Sequence, residues 1–179
     1  MKKEDIDLMK KTNIAIIGMP GSGKTTLCKK LATILKKDFV DVDSLIVSEN
    51  NITIAEIFKQ FGEAYFRKLE CDMIQRLSLM ENVVISTGGG CVKNEDNINN
   101  LRRNAIIVYV KRDLEKLETV GRPLSAGGLD SVKKLFEERQ ALYEKYSDIQ
   151  VENNTDIQDC AIRIYKSYLD YIKSNDNKI

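Results

Sequence analysis

Short apolar runs alternate along this chain with longer stretches in which apolar residues recur every three or four positions. Asn13-Ile14-Ala15-Ile16-Ile17 is apolar at nearly every position, which predicts a strand buried on both faces. It leads into a glycine-containing loop and then a helix with Leu27, Leu31, Ile34 and Leu35 on one side. Phe39-Val40-Asp41-Val42-Asp43 predicts a second strand, and helical stretches follow from about Thr53 to Phe61 and from Ala64 to Met80. Val83-Val84-Ile85-Ser86 predicts a third strand ending at Gly88-Gly89-Gly90, and Ala105 to Val110 a fourth. A long helix from Leu129 to about Tyr146 precedes a weak edge strand near Ile149–Val151. The last helix carries Ile157, Cys160, Ala161, Ile164, Tyr168, Leu169 and Ile172 on one face, and Thr155 with Gln158 at its start predicts a capping box.

Apolar strands alternating with helices predict an α/β fold: a parallel sheet of about five strands with helices on both faces. Ligands on such sheets bind outside the carboxyl ends of the strands. The segments with unusual chemistry all lie at such ends. No repeat, low-complexity tract or Ser/Gly-rich linker divides the chain, and it holds two prolines. Residues 13–179 are therefore expected to form a single domain behind an N-terminal extension, residues 1–12.

Composition removes several classes of function. The 28 lysines and arginines nearly balance 27 aspartates and glutamates, so no net basic field exists to hold nucleic acid. No segment approaches the roughly 20 apolar residues of a transmembrane helix. Met1 to Asp7 is basic and then acidic with no apolar run behind it, unlike a signal peptide. A cytoplasmic monomer without nucleic-acid or membrane partners is expected. The chain has no histidine, which excludes a histidine general base and His-ligated zinc. Cys28, Cys71, Cys91 and Cys160 form no C-x-x-C motif and are expected to be buried free thiols.

Gly18-Met19-Pro20-Gly21-Ser22-Gly23-Lys24-Thr25 fits G-x4-G-K-[ST], between a predicted strand and a predicted helix. Its glycines let successive N–H groups turn inward on phosphate oxygens, and the helix N-terminus adds partial positive charge. Gly21, Ser22, Gly23, Lys24, Thr25 and Thr26 are the expected nucleotide-binding positions. Lys24 bridges the β- and γ-phosphates and the Thr25 hydroxyl meets Mg²⁺ in such a loop. The fold expected is P-loop NTPase-like.

Four further segments carry candidate chemistry. Asp41 and Asp43, two apart on the predicted strand, face the same side and suit a metal contact and a proton acceptor, or else cap the next helix. Gly88-Gly89-Gly90 suggests a close approach to the backbone, or a loose turn. Arg67 shares a helix face with Glu70, as a held guanidinium or an exposed ion pair. Gly121-Arg122-Pro123-Leu124, with Gly127 and Gly128 beyond, reads as a short lid over about 119–128 or a plain surface loop. Arg139, within Glu137-Glu138-Arg139-Gln140, reads by default as part of a solvated helix face.

Together these segments resemble the shikimate kinase family, from Asn13 to about Ile172. The phosphate loop, D-x-D at Asp41 and Asp43, F-R-x-x-E at Phe66, Arg67 and Glu70, the triple glycine, R-P-L at Arg122 and R-x-x-L-Y at Arg139 to Tyr143 occur in the family's order. The resemblance implies transfer of the γ-phosphate of MgATP to the 3-hydroxyl of shikimate, in the chorismate pathway to aromatic amino acids. It implies Asp43, Lys24 and Arg122 as catalytic residues, with Asp43 taking the hydroxyl proton and Arg122 closing over ATP. Arg67 and Arg139 would clamp the acceptor's carboxylate, with Gly88, Gly89 and Gly90 lining the site and Gly89 offering its N–H. Phe58 and Phe66 would form apolar walls within acceptor-binding helices spanning about residues 43–80. Thr25 would hold Mg²⁺ with Asp41 behind it.

Two departures stand out. Where the family has R-x-P-L-Y, Arg139-Gln140-Ala141-Leu142-Tyr143 lacks the proline, which predicts a continuing helix and a re-aimed Arg139. No arginine lies in Leu117 to Gly121 to meet the adenine, leaving Arg112 as a distant candidate. The competing expectations are a related kinase for gluconate or a nucleoside monophosphate, and a non-catalytic nucleotide-binding paralogue.

Overall fold

The structure, a computed structural model, describes residues 11–117 and 129–176. Strands β1 (Asn13–Ile17), β2 (Asp38–Asp41), β3 (Val83–Ser86), β4 (Ala105–Lys111) and β5 (Ile149–Glu152) form one parallel sheet in the order β2-β3-β1-β4-β5. β1 is central, and its Ile14 stands opposite Val84 on one side and Ile106 on the other. Every residue of β1 and β3 is buried, which is why both read as unbroken apolar runs. The edge strand β5 alternates buried and exposed positions and gives the weakest signal.

Helices α1 (Lys24–Leu35) and α6 (Ile157–Asp176) cover one face, packing Leu27, Leu31, Ile164 and Tyr168 against Ile14, Ile16 and Val108. Helices α2 (Val42–Asn50), α3 (Ile54–Leu77), α4 (Glu95–Arg102) and α5 (Leu129–Tyr146) belong to the other, around Ala15, Ile17, Ile85 and Ile107. Fully burying one such aliphatic side chain contributes roughly 1.5–3 kcal/mol, so the two clusters carry most of the stability. The predicted α/β sheet with helices on both faces is the observed fold.

Local details differ from the sequence expectations. The second strand stops at Asp41, whose Oδ1 accepts from the Ser44 N–H at 2.9 Å and starts α2. Asp43 therefore lies in the first turn of a helix and not on a strand, and the two-residue strand alternation does not place it. α3 ends at Leu77, short of Met80. The expected gap between two helical stretches is real, because Gly62 (φ 81°) breaks the helical path inside α3. α6 is capped by Asp156, which accepts from the N–H groups of Gln158 and Asp159, and not by Thr155. The Gln158 amide oxygen instead accepts from Lys30. A capping box does form, at Thr53 and Glu56. Three thiols are buried as expected, but Cys71 is partly exposed.

Candidate active site

Strand order explains the site. β2, β3 and β1 are neighbours, so the segments that follow them meet over one edge of the sheet. The phosphate loop, the Asp41–Asp43 segment and the triple glycine thus line one cleft of about 250 Å³. Gly21, Gly23, Lys24, Asp41, Asp43 and Gly89 are on its wall, and Thr25, Thr26 and Thr87 complete it. Ser22 is fully buried in the loop.

The phosphate loop is closed by the Ser22 N–H donating to the Met19 carbonyl at 3.2 Å. Gly23 caps α1 in the left-handed region (φ 86°) with no side chain to satisfy the first-turn N–H groups, leaving an anion-binding end. The Lys24 ammonium, 7% exposed, donates to the carbonyls of Gly18 at 3.0 Å and Met19 at 2.8 Å. Thr25 Oγ1 donates to Asp41 Oδ2 at 2.9 Å and lies 3.3 Å from Ser86 Oγ. Asp41 thus caps α2 with one oxygen and orients the Thr25 hydroxyl with the other.

The triple glycine is crowded by the protein itself. A methyl on Gly88 would collide with Glu70 Oε1 and come 3.1 Å from Asp43 Oδ1. On Gly89 it would press into the Pro20 ring, and on Gly90 into the Arg67 guanidinium. The close approach expected at this segment is made by neighbouring side chains, and no loose turn exists here.

Arg67 is no exposed ion pair. Its Nη1 donates to Glu70 at 2.8 Å, and Nε and Nη2 donate to one oxygen of Glu63 at 3.1 and 3.0 Å. Glu70 is fully buried. Burial pushes its carboxyl up against the opposing pull of Arg67, and the nearby Asp43 adds to the rise. Phe66 is buried, with its ring centroid 5.0 Å from that of the half-buried Phe58.

Arg139 overturns one expectation. It is 1% exposed, not on a solvated face. The helix continues through it as expected, and its Nη1 donates to the Gly89 carbonyl at 3.2 Å, beside the triple glycine. Tyr143, one turn on, donates its hydroxyl to the same carbonyl. Burial pushes the Tyr143 phenol up, so it keeps its proton and acts as a donor. Arg139 Nε is buried without a hydrogen-bond partner among the described residues. Arg139 also walls a second cavity of about 280 Å³, which Lys93, Lys134 and Glu63 share. The expected lid, with Arg122, lies outside the described residues.

A family model described as shikimate kinase matches residues 20–170. The chain belongs to the shikimate kinase family. A shikimate kinase from Caldanaerobacter subterraneus subsp. tengcongensis is 37% identical over 165 residues, covering 88% of this chain and 96% of the relative. The solved shikimate kinase from Acinetobacter baumannii in complex with shikimate superposes with a TM-score of 0.86 at 29% identity, covering 93% and 97% of the two chains. That from Aquifex aeolicus gives 0.78 at 38% identity, covering 87% and 95%. Glu63, bonded to Arg67, and Tyr143, bonded to the Gly89 carbonyl, were given no site role from the sequence, although Tyr143 closes the R-x-x-L-Y motif. Each stands four residues from an arginine already singled out, which is the available helical signal.

Proposed function

We propose that this chain transfers the γ-phosphate of ATP to the 3-hydroxyl of shikimate. The observation that carries the reading is one cleft holding both a phosphate loop and a carboxylate, Asp43, outside it. The hydroxyl oxygen bonds to the γ-phosphorus, the bond to the ADP oxygen breaks, and Asp43 takes the hydroxyl proton. Phosphoryl transfer demands positioning and charge neutralisation more than a strong base, so a chain without histidine suffices.

Lys24 exchanges loop carbonyls for phosphate oxygens and neutralises charge on the moving group. Thr25 and Asp41 fit Mg²⁺: both offer hard oxygens, and the threonine, by donating its proton to Asp41, keeps its lone pairs for a cation. Among the described residues no three His, Cys, Asp or Glu side chains converge on a metal, so such an ion would draw its other oxygens from the nucleotide and water. When bound, it would supply positive charge that offsets the charge on the transferring phosphate. Residues 43–80 form the acceptor side, and Arg122, to which the resemblance gives a catalytic role, lies outside the described residues.

Arg67 and Arg139 clamp the acceptor's carboxylate. Arg67 already shares its charge with Glu63 and Glu70, so Arg139, buried with an unpartnered Nε, brings the less committed positive charge. Arg67→Lys should cost roughly 10- to 150-fold in kcat/KM for shikimate, because lysine carries the charge without the planar fork. Steady-state kinetics on shikimate and on its carboxamide analogue checks this: the variant should lose the preference for the acid. Gly90→Ala should push the Arg67 fork aside without unfolding the chain, because the atoms it meets are the end of a flexible side chain. A loss of roughly tenfold in kcat/KM for shikimate, with ATP affinity unchanged, is expected. Product analysis by ³¹P NMR after incubation with MgATP and shikimate tests the reaction itself. A phosphate monoester on the ring supports it; unchanged ATP and shikimate count against it.

A further inference from the structure

We propose that Tyr143 is a positioning residue whose hydroxyl locks the peptide between Gly89 and Gly90 in the orientation an anionic acceptor needs. The inference rests on the kinase reading and adds to it what holds the acceptor side in shape. Gly88-Gly89-Gly90-Cys91 is a β-turn, closed by the Cys91 N–H donating to the Gly88 carbonyl at 3.2 Å. It spans the acceptor-side groups: a methyl on Gly88 would come 3.1 Å from Asp43 Oδ1, and one on Gly90 would meet the Arg67 guanidinium. Gly90, the third residue, has φ −100° and ψ 0°, the values of a type I turn. A glycine there is equally at home at positive φ, the type II form. The two forms differ by a flip of the central peptide, Gly89–Gly90, and the closing bond survives in both. Nothing within the turn itself selects one.

The selection comes from α5. Tyr143 donates its hydroxyl to the Gly89 carbonyl, and Arg139 Nη1 donates to the same oxygen at 3.2 Å. Tyr143 is fully buried, and its ring stacks on Tyr109 of β4 with centroids 5.0 Å apart, so the hydroxyl is anchored to the sheet. Its other neighbour is a weak acceptor, Met19 Sδ at 3.9 Å. The carbonyl and N–H of one trans peptide point opposite ways, so holding the Gly89 oxygen toward α5 turns the Gly90 N–H away from it. Neither the Gly89 nor the Gly90 N–H donates to a described residue. A flip would put a carbonyl oxygen where the Gly90 N–H stands, and an oxygen repels a carboxylate. Two donors on one carbonyl matter because the kinase reading also assigns Arg139 to the acceptor. When Arg139 turns to the carboxylate, Tyr143 keeps the peptide in place.

Tyr143→Phe removes the hydroxyl and keeps the stacked ring. A partly flipped turn lowers the fraction of chains ready for the acceptor, and saturating acceptor restores it. The KM for shikimate should therefore rise roughly 3- to 10-fold while kcat and the KM for ATP stay unchanged. NMR reads the peptide directly. With glycine labelled by ¹³C at the carbonyl and ¹⁵N at the amide, carbonyl–amide correlations arise only at the three Gly–Gly bonds, 88–89, 89–90 and 127–128. The Gly89–Gly90 correlation should be single in wild type, split or broadened in Tyr143→Phe, and single again at saturating shikimate. A fall in kcat at unchanged KM, equal losses for ATP and shikimate, no change in any constant, or a variant correlation that stays single and sharp overturns the proposal. A variant without a folded spectrum makes the hydroxyl a stability element and overturns it too. Wild type that does not turn over shikimate sinks the kinase reading, and the correlation in the free variant still decides the lock.

Discussion

Asp43→Asn should lower kcat by roughly 10²- to 10⁴-fold, the usual contribution of a positioned proton acceptor. Asp43 sits in the first turn of α2, in the same cleft as Lys24 and Thr25. A carboxylate is a weak base in any case. Weakness is no obstacle here, since the hydroxyl proton becomes acidic only as the bond to phosphorus forms. Asparagine keeps the shape and the cleft but cannot take the proton. α2 should survive, because its cap is Asp41 and not Asp43. ATP affinity, measured by calorimetry, should be unchanged. A fall in kcat of less than about fivefold would reduce Asp43 to a helix-start residue.

Lys24→Ala should bring transfer down at least as far. Removing one preorganised donor from a developing charge typically costs about 10²- to 10³-fold in kcat, and Lys24 carries a full charge in a nearly closed site. The alanine also leaves the Gly18 and Met19 carbonyls without this donor. Retained far-UV circular dichroism and shikimate affinity will separate a chemical loss from a collapsed loop. Activity above about a tenth of wild type contradicts the role given to this lysine.

The strands and the long helices were legible because period and burial coincide: β1 and β3 are buried at every position and read as unbroken apolar runs. The phosphate loop was legible because its glycines, lysine and threonine are needed at fixed offsets. Asp43 reaches the cleft from a helix and not from the strand expected. Val42 and Ile46, both buried and four apart, carried the helix signal that the neighbouring apolar strand obscured. Arg139 was misread as solvated although it lies on a stripe of Val132, Leu135, Tyr143 and Tyr146, spaced three and four apart and all buried. A charged residue within such a stripe points inward. The bonds from Asn153 to Ser22 and from Arg139 to Gly89 had no local signal, since they join positions 131 and 50 residues apart. The triple glycine showed that something approaches the backbone, and only the packed chain reveals Glu70, Pro20 and Arg67 as what does.

The most direct test of the central claim is ADP release from MgATP by the wild-type chain in parallel reactions with shikimate, gluconate, a nucleoside monophosphate and no acceptor. The account predicts ADP release that depends on shikimate and matches it mole for mole, with background rates in the other three. Release that is equal without acceptor, or greater with gluconate or the nucleotide than with shikimate, would contradict it.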